Sequence, residues 1–274
     1  MPDTLLHFVH ISDTHLLAPG QVKDFTDIQP ELALYAQQVM ALPYHTMTAV
    51  EALMQQINAL PLKIDFVLHT GDVAGEDNCD YETFAQVFRQ INVPVIFVPG
   101  NHDRRADMTS LYRREPESVC EYYISGIQIV CLDSSRAEIG HAGWLDEQAL
   151  NRLEVICASD DERPLLVAVH HHPIPIGVAW LDALRLGNGD ILHQILLQAR
   201  HRLRGVFCGH IHHSVDIVKD GILYSSVASA AYQFVGWPGC LQASLDLAAD
   251  PGFNLVTITR DQTLVRHHRY RITP

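Results

Sequence analysis

The chain has 274 residues, of which 47% are hydrophobic and 19% charged, enough apolar material for a sizeable core and too little charge for a disordered protein. Its formal net charge of −13 at pH 7 argues against binding to a nucleic-acid polymer or to an anionic membrane, since both need a basic protein surface. No stretch approaches the roughly 20 apolar residues of a membrane helix, the amino terminus does not read as a signal peptide, and the cysteines show no C-x-x-C spacing. We therefore expect a cytoplasmic protein with free thiols.

Short apolar runs that are typical of buried strands recur along the chain. They predict strands at 7–13, 66–72, 95–101, 128–134, 165–170 and 205–210. Between them, helical periodicity predicts helices at 30–42, 48–60, 81–91, 143–156 and 190–203. The last part changes character, with antiparallel strands expected over 215–229 and a β-hairpin over 253–272. Such an alternation of strands and helices indicates an α/β protein.

Nothing in the sequence divides the chain into separate units. It contains no internal repeat, low-complexity segment or Gly/Ser/Pro-rich linker, so we expect a single domain over residues 1–274. The segment 16–45 stands apart because it is a long excursion with Pro19, Pro30 and Pro43 directly after the first strand. We interpret this segment as a candidate lid.

Side chains that can bind metals follow five of the predicted strands, at the point where each strand ends. They are Asp13 and His15, then Asp72, then Asn101 and His102, then the three histidines at 170–172, and finally His210 and His212. Because the carboxyl ends of strands in an open α/β sheet converge on one crevice, we expect these side chains to meet. Mixed carboxylate and imidazole ligands suit Zn, Mn or Fe better than Mg or Ca. Two aspartates, one asparagine and at least four of the histidines give seven ligands, which fit two ions that share a carboxylate and predict a two-metal hydrolase.

The same motifs also resemble those of a known family. DTH at 13–15, GD at 71–72, GNHD at 100–103, a strand-end histidine near 170 and GHIH at 209–212 follow the order of the calcineurin-like metallophosphoesterase superfamily. The blocks 132–154 and 170–182 are similar to its bacterial class III branch, which hydrolyses cyclic nucleotides and glycerophosphodiesters. The resemblance implies the metallo-dependent phosphatase fold, a four-layer α/β/β/α sandwich of two mixed β-sheets flanked by helices.

The resemblance further implies which residues bind two divalent or trivalent transition-metal ions, of Fe, Mn or Zn. The first ion would be held by Asp13, His15 and His212, the second by Asn101, His170 and His210, and Asp72 would bridge the two. His170 is preferred because it stands three residues before Pro173, as the family ligand does. An H-x-P count selects His171 instead, and this alternative stays open.

The resemblance also implies how the reaction proceeds. His102, backed by Asp103, resembles the catalytic histidine that contacts the phosphoryl oxygen or protonates the leaving alkoxide. Metal-bound hydroxide would attack phosphorus. For the substrate we expect contacts from Arg104, which follows GNHD, and from Asp182 and Asn188, which follow the fourth motif.

The expected function is hydrolysis of a small phosphodiester, either a 3′,5′-cyclic nucleotide or a glycerophosphodiester. A phosphomonoesterase or nucleotide pyrophosphatase on the same site is the alternative, and a non-catalytic metal-binding scaffold is a third reading. A homo-oligomer is compatible with the sequence, whereas a nucleic-acid polymer and a membrane are not expected as partners. Among the other histidines, we assign the following to the surface: His45, His141, His193, His201, His267 and His268.

Overall fold

The computed structural model describes residues 4–18, 23, 25, 32–75, 80–112 and 117–272. In these ranges the first sheet contains β1 (Thr4–Ile11), β2 (Phe66–His69), β3 (Val95–Phe97), β10 (Gly252–Thr259) and β11 (Thr263–Arg269), in the order β11-β10-β1-β2-β3. Pairing is parallel from β1 to β3, while β10 and β11 form an antiparallel hairpin at the β1 edge.

The second sheet contains β4 (Val119–Ile124), β5 (Ile127–Leu132), β6 (Leu165–Val169), β7 (Leu203–Cys208), β8 (Asp216–Lys219) and β9 (Ile222–Ser226). Its order is β4-β5-β6-β7-β9-β8, with parallel pairing from β5 through β9 and antiparallel pairing at both edges. Both sheets are therefore mixed.

The helices in the described ranges are α1 (Ala33–Met40), α2 (Thr46–Asn58), α3 (Tyr81–Phe88), α4 (Thr109–Tyr112), α5 (Glu147–Cys157), α6 (Ala179–Asp182) and α7 (Gly189–Gln198). Where they begin follows from capping: the Asp80 and Asp146 carboxylates accept hydrogen bonds from the first-turn amides of α3 and α5. The helix expected to run to 203 ends at Gln198, because Leu203 already belongs to β7. None of these helices combines the length and apolar character needed to cross a bilayer.

The two sheets pack face to face and helices cover their outer faces. Alternation along β1 sends Leu6 and Phe8 into the inter-sheet core, where the Phe8 ring meets that of Phe207 edge to face at 5.1 Å. The neighbouring Val9 and Ile11 point outward and pack with α2 and α3. On the other side, β5, β6 and β7 pack against α5 and α7. The expected four-layer α/β/β/α sandwich is confirmed.

One histidine that was expected at the surface is buried in the core. The surface assignment of His193 is wrong: it is 1% exposed, and its ring nitrogens are hydrogen-bonded to the Tyr224 hydroxyl (2.6 Å) and the Asp220 carboxylate (3.0 Å). It lies on the inner face of α7, where polar partners on β9 and the β8–β9 turn satisfy the imidazole. Sequence periodicity cannot reveal such partners.

His10 is expected to make the protein sensitive to acid. Its ring is fully buried between the sheets, and burial lowers its pKa from 6.5 to about 3. The unfolded chain therefore binds a proton that the folded chain excludes between those two pKa values, and stability falls as the pH drops through this window. Relative to a His10→Leu variant, the wild type should lose about 2 kcal/mol more stability between about pH 7 and about pH 5, because one proton is worth about 1.4 kcal/mol per pH unit.

Urea unfolding of both proteins at the two pH values measures this difference. A His201→Leu variant is the matched control, since His201 is exposed and should leave the pH dependence unchanged. An identical loss of stability in wild type and His10→Leu would show that His10 is protonated without cost.

Candidate metal centre

The predicted ligand side chains meet at one edge of the sandwich, where the carboxyl ends of strands from both sheets come together. The loops after β1 and β2 are joined by main-chain hydrogen bonds from Asp13 N to Gly71 O (2.9 Å) and from His15 N to Asp72 O (3.0 Å). In the second sheet Gly209 N donates to His170 O at 3.0 Å. The crevice expected from the strand ends is thus formed by two sheets rather than by one.

The backbone at these loop positions is unusual. Among the described residues that are not glycine, seven have a positive φ, and five of them belong to the predicted ligand set. The five are Asp13 (54°), His15 (41°), Asp72 (53°), His210 (70°) and His212 (52°). This left-handed conformation is unfavourable for residues with a Cβ, and its concentration at one place is typical of functional sites.

Two glycines of the motifs make room for the carboxylates. A Cβ on Gly100 would overlap the Asp72 carboxylate, and a Cβ on Gly209 would overlap the Ser12 hydroxyl and approach Asp13 Oδ2 to 2.8 Å. The motifs therefore need glycine for close approach of loops.

The first group of ligand-type atoms consists of Asp13, His15 and His212, all buried. His212 Nε2 lies 3.3 Å from Asp13 Oδ1 and 3.1 Å from His15 Nε2. On its other side, His212 Nδ1 donates a hydrogen bond to Tyr232 O at 2.6 Å. That bond fixes the ring so that a neutral His212 turns its Nε2 lone pair toward Asp13.

The second group is centred on Asp72, Asn101 and His170. His170 Nε2 lies 3.2 Å from Asn101 Oδ1 and 3.4 Å from Asp72 Oδ2. Its Nδ1 donates to Thr70 O at 2.6 Å, which orients this ring in the same way as that of His212. Asp72 Oδ2 also lies 3.9 Å from His15 Nε2, so this carboxylate stands between the two groups.

His210 and His171 lie beside the second group. The His210 ring is within 5.1 Å of His170 and 4.6 Å of His171, measured between ring centroids, and its buried Nε2 has no hydrogen-bond partner among the described residues. His171 differs, because its Nδ1 is bonded to the Ser134 hydroxyl (2.8 Å) and its Nε2 to His141 O (3.1 Å). Of the two alternatives left by the sequence, His170 is the one directed at Asp72 and Asn101.

The Asp72 carboxylate favours positive charge on His170, whereas burial lowers the pKa of His15 and His210 and keeps both of them neutral. Burial acts to raise the pKa of Asp72, but the neighbouring His170 and His102 hold it well below its usual value. For His170, burial acts to lower the pKa, and the Asp72 carboxylate raises it to about 9. A proton on His170 Nε2 therefore separates two lone pairs that would otherwise face each other, one on this nitrogen and one on Asp72 Oδ2.

The donor set fits transition-metal ions. Acceptor atoms of Asp13, Asp72, His170 and His212 converge, and Asn101 Oδ1 lies beside His170. Asp13 Oδ1 is buried with no hydrogen-bond donor among the described residues. Converging acceptors without donors are costly unless a cation lies between them. Mixed imidazole and carboxylate ligands are those that Zn, Mn and Fe accept.

His102 borders the cluster, whereas Asp103 is turned away from it. The His102 ring is 5.1 Å from that of His15, and burial lowers its pKa to about 3. The Asp103 carboxylate accepts hydrogen bonds from Val73 N, Ala74 N, Gly100 N and the Tyr81 hydroxyl. These contacts join the second and third loops, so we reassign Asp103 from backing His102 to positioning the loops.

The expected substrate residues are placed differently from one another. Arg104 is exposed and precedes a short 3-10 turn after the third motif. Asp182 accepts hydrogen bonds from Ile176 N and Gly177 N and lies 3.5 Å from His172 Nε2. Asn188 uses its amide to bond Leu145 N and Leu145 O. The side chains of Asp182 and Asn188 therefore stabilise loops through bonds to the main chain, and their geometry does not favour contact with a substrate.

Two contacts at the site were not expected from the sequence. Tyr232 stacks on the His15 ring at 5.3 Å, and its hydroxyl is 2.9 Å from that of Tyr35 on α1. Lys23 Nζ in turn donates to the Tyr35 hydroxyl at 3.3 Å, which connects the candidate lid to the first group. Much of that lid, residues 19–22, 24 and 26–31, lies outside the described residues. The second contact is made by His141, whose Nδ1 lies 3.0 Å from Asn101 Nδ2. No motif signals either contact.

Comparison with known proteins places this geometry in context. A family model described as calcineurin-like phosphoesterase matches residues 6–214. The chain is 32% identical over 94% of its length, and 87% of the relative's, to the 3′,5′-cyclic adenosine monophosphate phosphodiesterase CpdA of Escherichia coli. It is 26% identical over 96% of its length, and 92% of the relative's, to a probable glycerophosphodiester phosphodiesterase, GpdQ, of Arcobacter nitrofigilis. Among solved structures, a dimetal phosphatase from Danio rerio superposes with a TM-score of 0.65 and 14% identity, covering 96% of this chain and 99% of that one.

Proposed function

Because this chain belongs to the calcineurin-like phosphoesterase family of metal-dependent hydrolases, we propose that it hydrolyses a small phosphodiester, a 3′,5′-cyclic nucleotide or a glycerophosphodiester. The observation that carries this proposal is the buried cluster in which Asp72 stands between the Asp13–His15–His212 group and the Asn101–His170 pair. The names of the relatives from Escherichia coli and Arcobacter nitrofigilis support a diester rather than a monoester.

In this proposal the two groups hold one ion each. Asp13, His15 and His212 would hold the first, Asn101, His170 and His210 would hold the second, and Asp72 would serve both. Bound Fe, Mn or Zn would supply Lewis acidity, which lowers the pKa of water and stabilises negative charge on phosphoryl oxygens. His171 is not a ligand in this assignment, because both of its ring nitrogens are engaged elsewhere.

Residues of the chain itself would then position the reacting groups and transfer a proton. Water adds to phosphorus and gives up a proton, one ester P–O bond breaks, and the departing alkoxide takes up a proton to become an alcohol. His102 is partly buried beside the ligands, and in this proposal it offers its imidazole to the phosphoryl or leaving oxygen. Its backbone N–H donates to Asp72 Oδ1 at 2.9 Å, which fixes His102 relative to the shared carboxylate.

Arg104 is the remaining candidate for contact with substrate. It is exposed directly after the third motif, and its guanidinium carries the positive charge that a phosphodiester anion would meet there.

The net charge and the cysteines of the chain bear on its substrate and its location. A net charge of −13 favours a small substrate over a nucleic-acid polymer. Cys120, Cys157 and Cys208 are buried free thiols, which supports a cytoplasmic location. We also propose that residues 1–274 act as a single domain with 16–45 as a lid, and a homo-oligomer is compatible with this proposal.

A substrate panel with metal reconstitution tests the proposed activity. After chelation and readdition of Mn, Fe or Zn, we expect kcat/KM for bis(p-nitrophenyl) phosphate to exceed that for p-nitrophenyl phosphate at least about tenfold. Cyclic AMP and a glycerophosphodiester, assayed beside them, distinguish the two diester classes. A reversed ratio would instead support the phosphomonoesterase, turnover of a nucleoside diphosphate ester alone would support the nucleotide pyrophosphatase, and no turnover with any metal would support the scaffold.

A further inference from the structure

The segment between β5 and α5 brings an unexpected histidine to the metal centre. His141 is exposed, yet Asn101 Nδ2 donates a hydrogen bond to its Nδ1 at 3.0 Å, and its ring lies 5.3 Å from that of His102. Asn101 is in the proposed ligand set for the second ion, and His141 is in no ligand group. His141 therefore contacts a proposed metal ligand without belonging to the proposed ligand set itself.

This bond distinguishes the two ends of the Asn101 amide. An asparagine side chain carries an acceptor oxygen and a donor NH₂ group of nearly equal size, and only the oxygen can bind a metal ion. With Nδ2 bonded to His141, Oδ1 faces His170 Nε2 at 3.2 Å. Rotation of the amide by half a turn would place the NH₂ group there and remove the ligand atom.

His141 is itself held in place by His171. The carbonyl oxygen of His141 accepts a hydrogen bond from His171 Nε2 (3.1 Å), and His171 Nδ1 accepts one from the Ser134 hydroxyl (2.8 Å). Gly143 allows the segment to come this close, because a Cβ there would overlap the His171 ring. The middle histidine of the three at 170–172 thus anchors the main chain that carries His141.

We propose that His141 is a positioning residue which selects the amide orientation of Asn101 and so tightens binding of the second metal ion. The proposal rests on the ligand assignment of the proposed function, but it does not depend on which ester the enzyme cleaves. Groups that orient metal ligands contribute about 10- to 100-fold to metal affinity in other proteins.

Calorimetric titration of the full, metal-depleted chain with Mn²⁺ alone tests this role. His141→Leu removes the acceptor for Asn101 Nδ2 and should weaken the second binding event about 10- to 100-fold, leaving the first unchanged. His141→Asn places an amide oxygen where Nδ1 was and should restore most of the affinity. His201→Leu, at an exposed histidine outside the site, should bind Mn²⁺ as the wild type does.

A double-mutant cycle with Asn101→Ala identifies the route of the effect. If His141 acts through Asn101, then His141→Leu should cause no further loss in the Asn101→Ala background. Equal second-ion affinity in wild type and His141→Leu, or additive losses in the cycle, would overturn the proposal, as would a large drop in unfolding temperature for His141→Leu, which would mean a structural role.

The same titration separates this proposal from the proposed function. Two Mn²⁺ ions bound by wild type without any diester hydrolysis would contradict the function and leave the role of His141 intact. Fewer than two ions bound by wild type would overturn both.

Discussion

Replacement of Asp72 by asparagine is expected to remove at least one metal ion and nearly all turnover. Asp72 Oδ2 lies 3.4 Å from His170 Nε2 and 3.9 Å from His15 Nε2, so one carboxylate serves both groups. Asparagine is neutral and presents an NH₂ group to one of them. Diester turnover should fall by about 10³-fold or more, because each ion stabilises the transition state by several kcal/mol.

The asparagine variant is chosen because it should fold. Asp72 has a φ of 53°, a conformation that asparagine tolerates better than most residues, and an amide oxygen can still accept the bond from His102 N. Elemental analysis and a diester assay give the two readouts, with Asp190→Asn on the exposed start of α7 as control. Two retained ions together with turnover within tenfold of wild type would exclude Asp72 as the shared ligand.

Replacement of His102 by alanine is expected to separate catalysis from metal binding. The contact of His102 with Asp72 is made by its backbone N–H, which alanine keeps. Metal content should therefore stay near two ions per chain. Turnover should fall by about 10²- to 10⁴-fold, the usual contribution of a positioned proton donor or acceptor.

Elemental analysis and steady-state kinetics on the same preparation of His102→Ala test this separation. His201→Ala is the matched control, since it removes an exposed imidazole far from the motifs. Unchanged kcat in His102→Ala would remove this residue from the reaction, and loss of an ion would make it a metal-binding residue instead.

The position of the site could be predicted because its residues stand at strand ends. Asp13, Asp72 and His210 each follow an apolar run that the structure forms as β1, β2 or β7, and parallel strands bring such ends together. The division into two sheets was not contained in the periodicity and came only from the family resemblance. Capping shifted several helix ends by a few residues, as at Asp146 before α5.

The contacts that could not be predicted are those that depend on the direction of side chains within the loops. His171 and His170 are neighbours in sequence, but one faces Ser134 and the other faces Asp72. Asp103 and Asn188 were expected at the site from the family resemblance, and both instead hydrogen-bond to backbone groups of neighbouring loops. His141 belongs to no sequence motif, and only its contact with Asn101, 40 positions away in the chain, places it at the site.

The left-handed backbone at the ligand positions has a consequence for how this protein can change over generations. Each such residue costs about 1 kcal/mol or more, and five of them lie in the ligand set. Glycine at His15 or His212 would relieve that cost and, at the same time, delete a ligand. At these positions the backbone conformation favours glycine while metal binding requires a side chain, so the two demands oppose each other wherever a ligand has a positive φ.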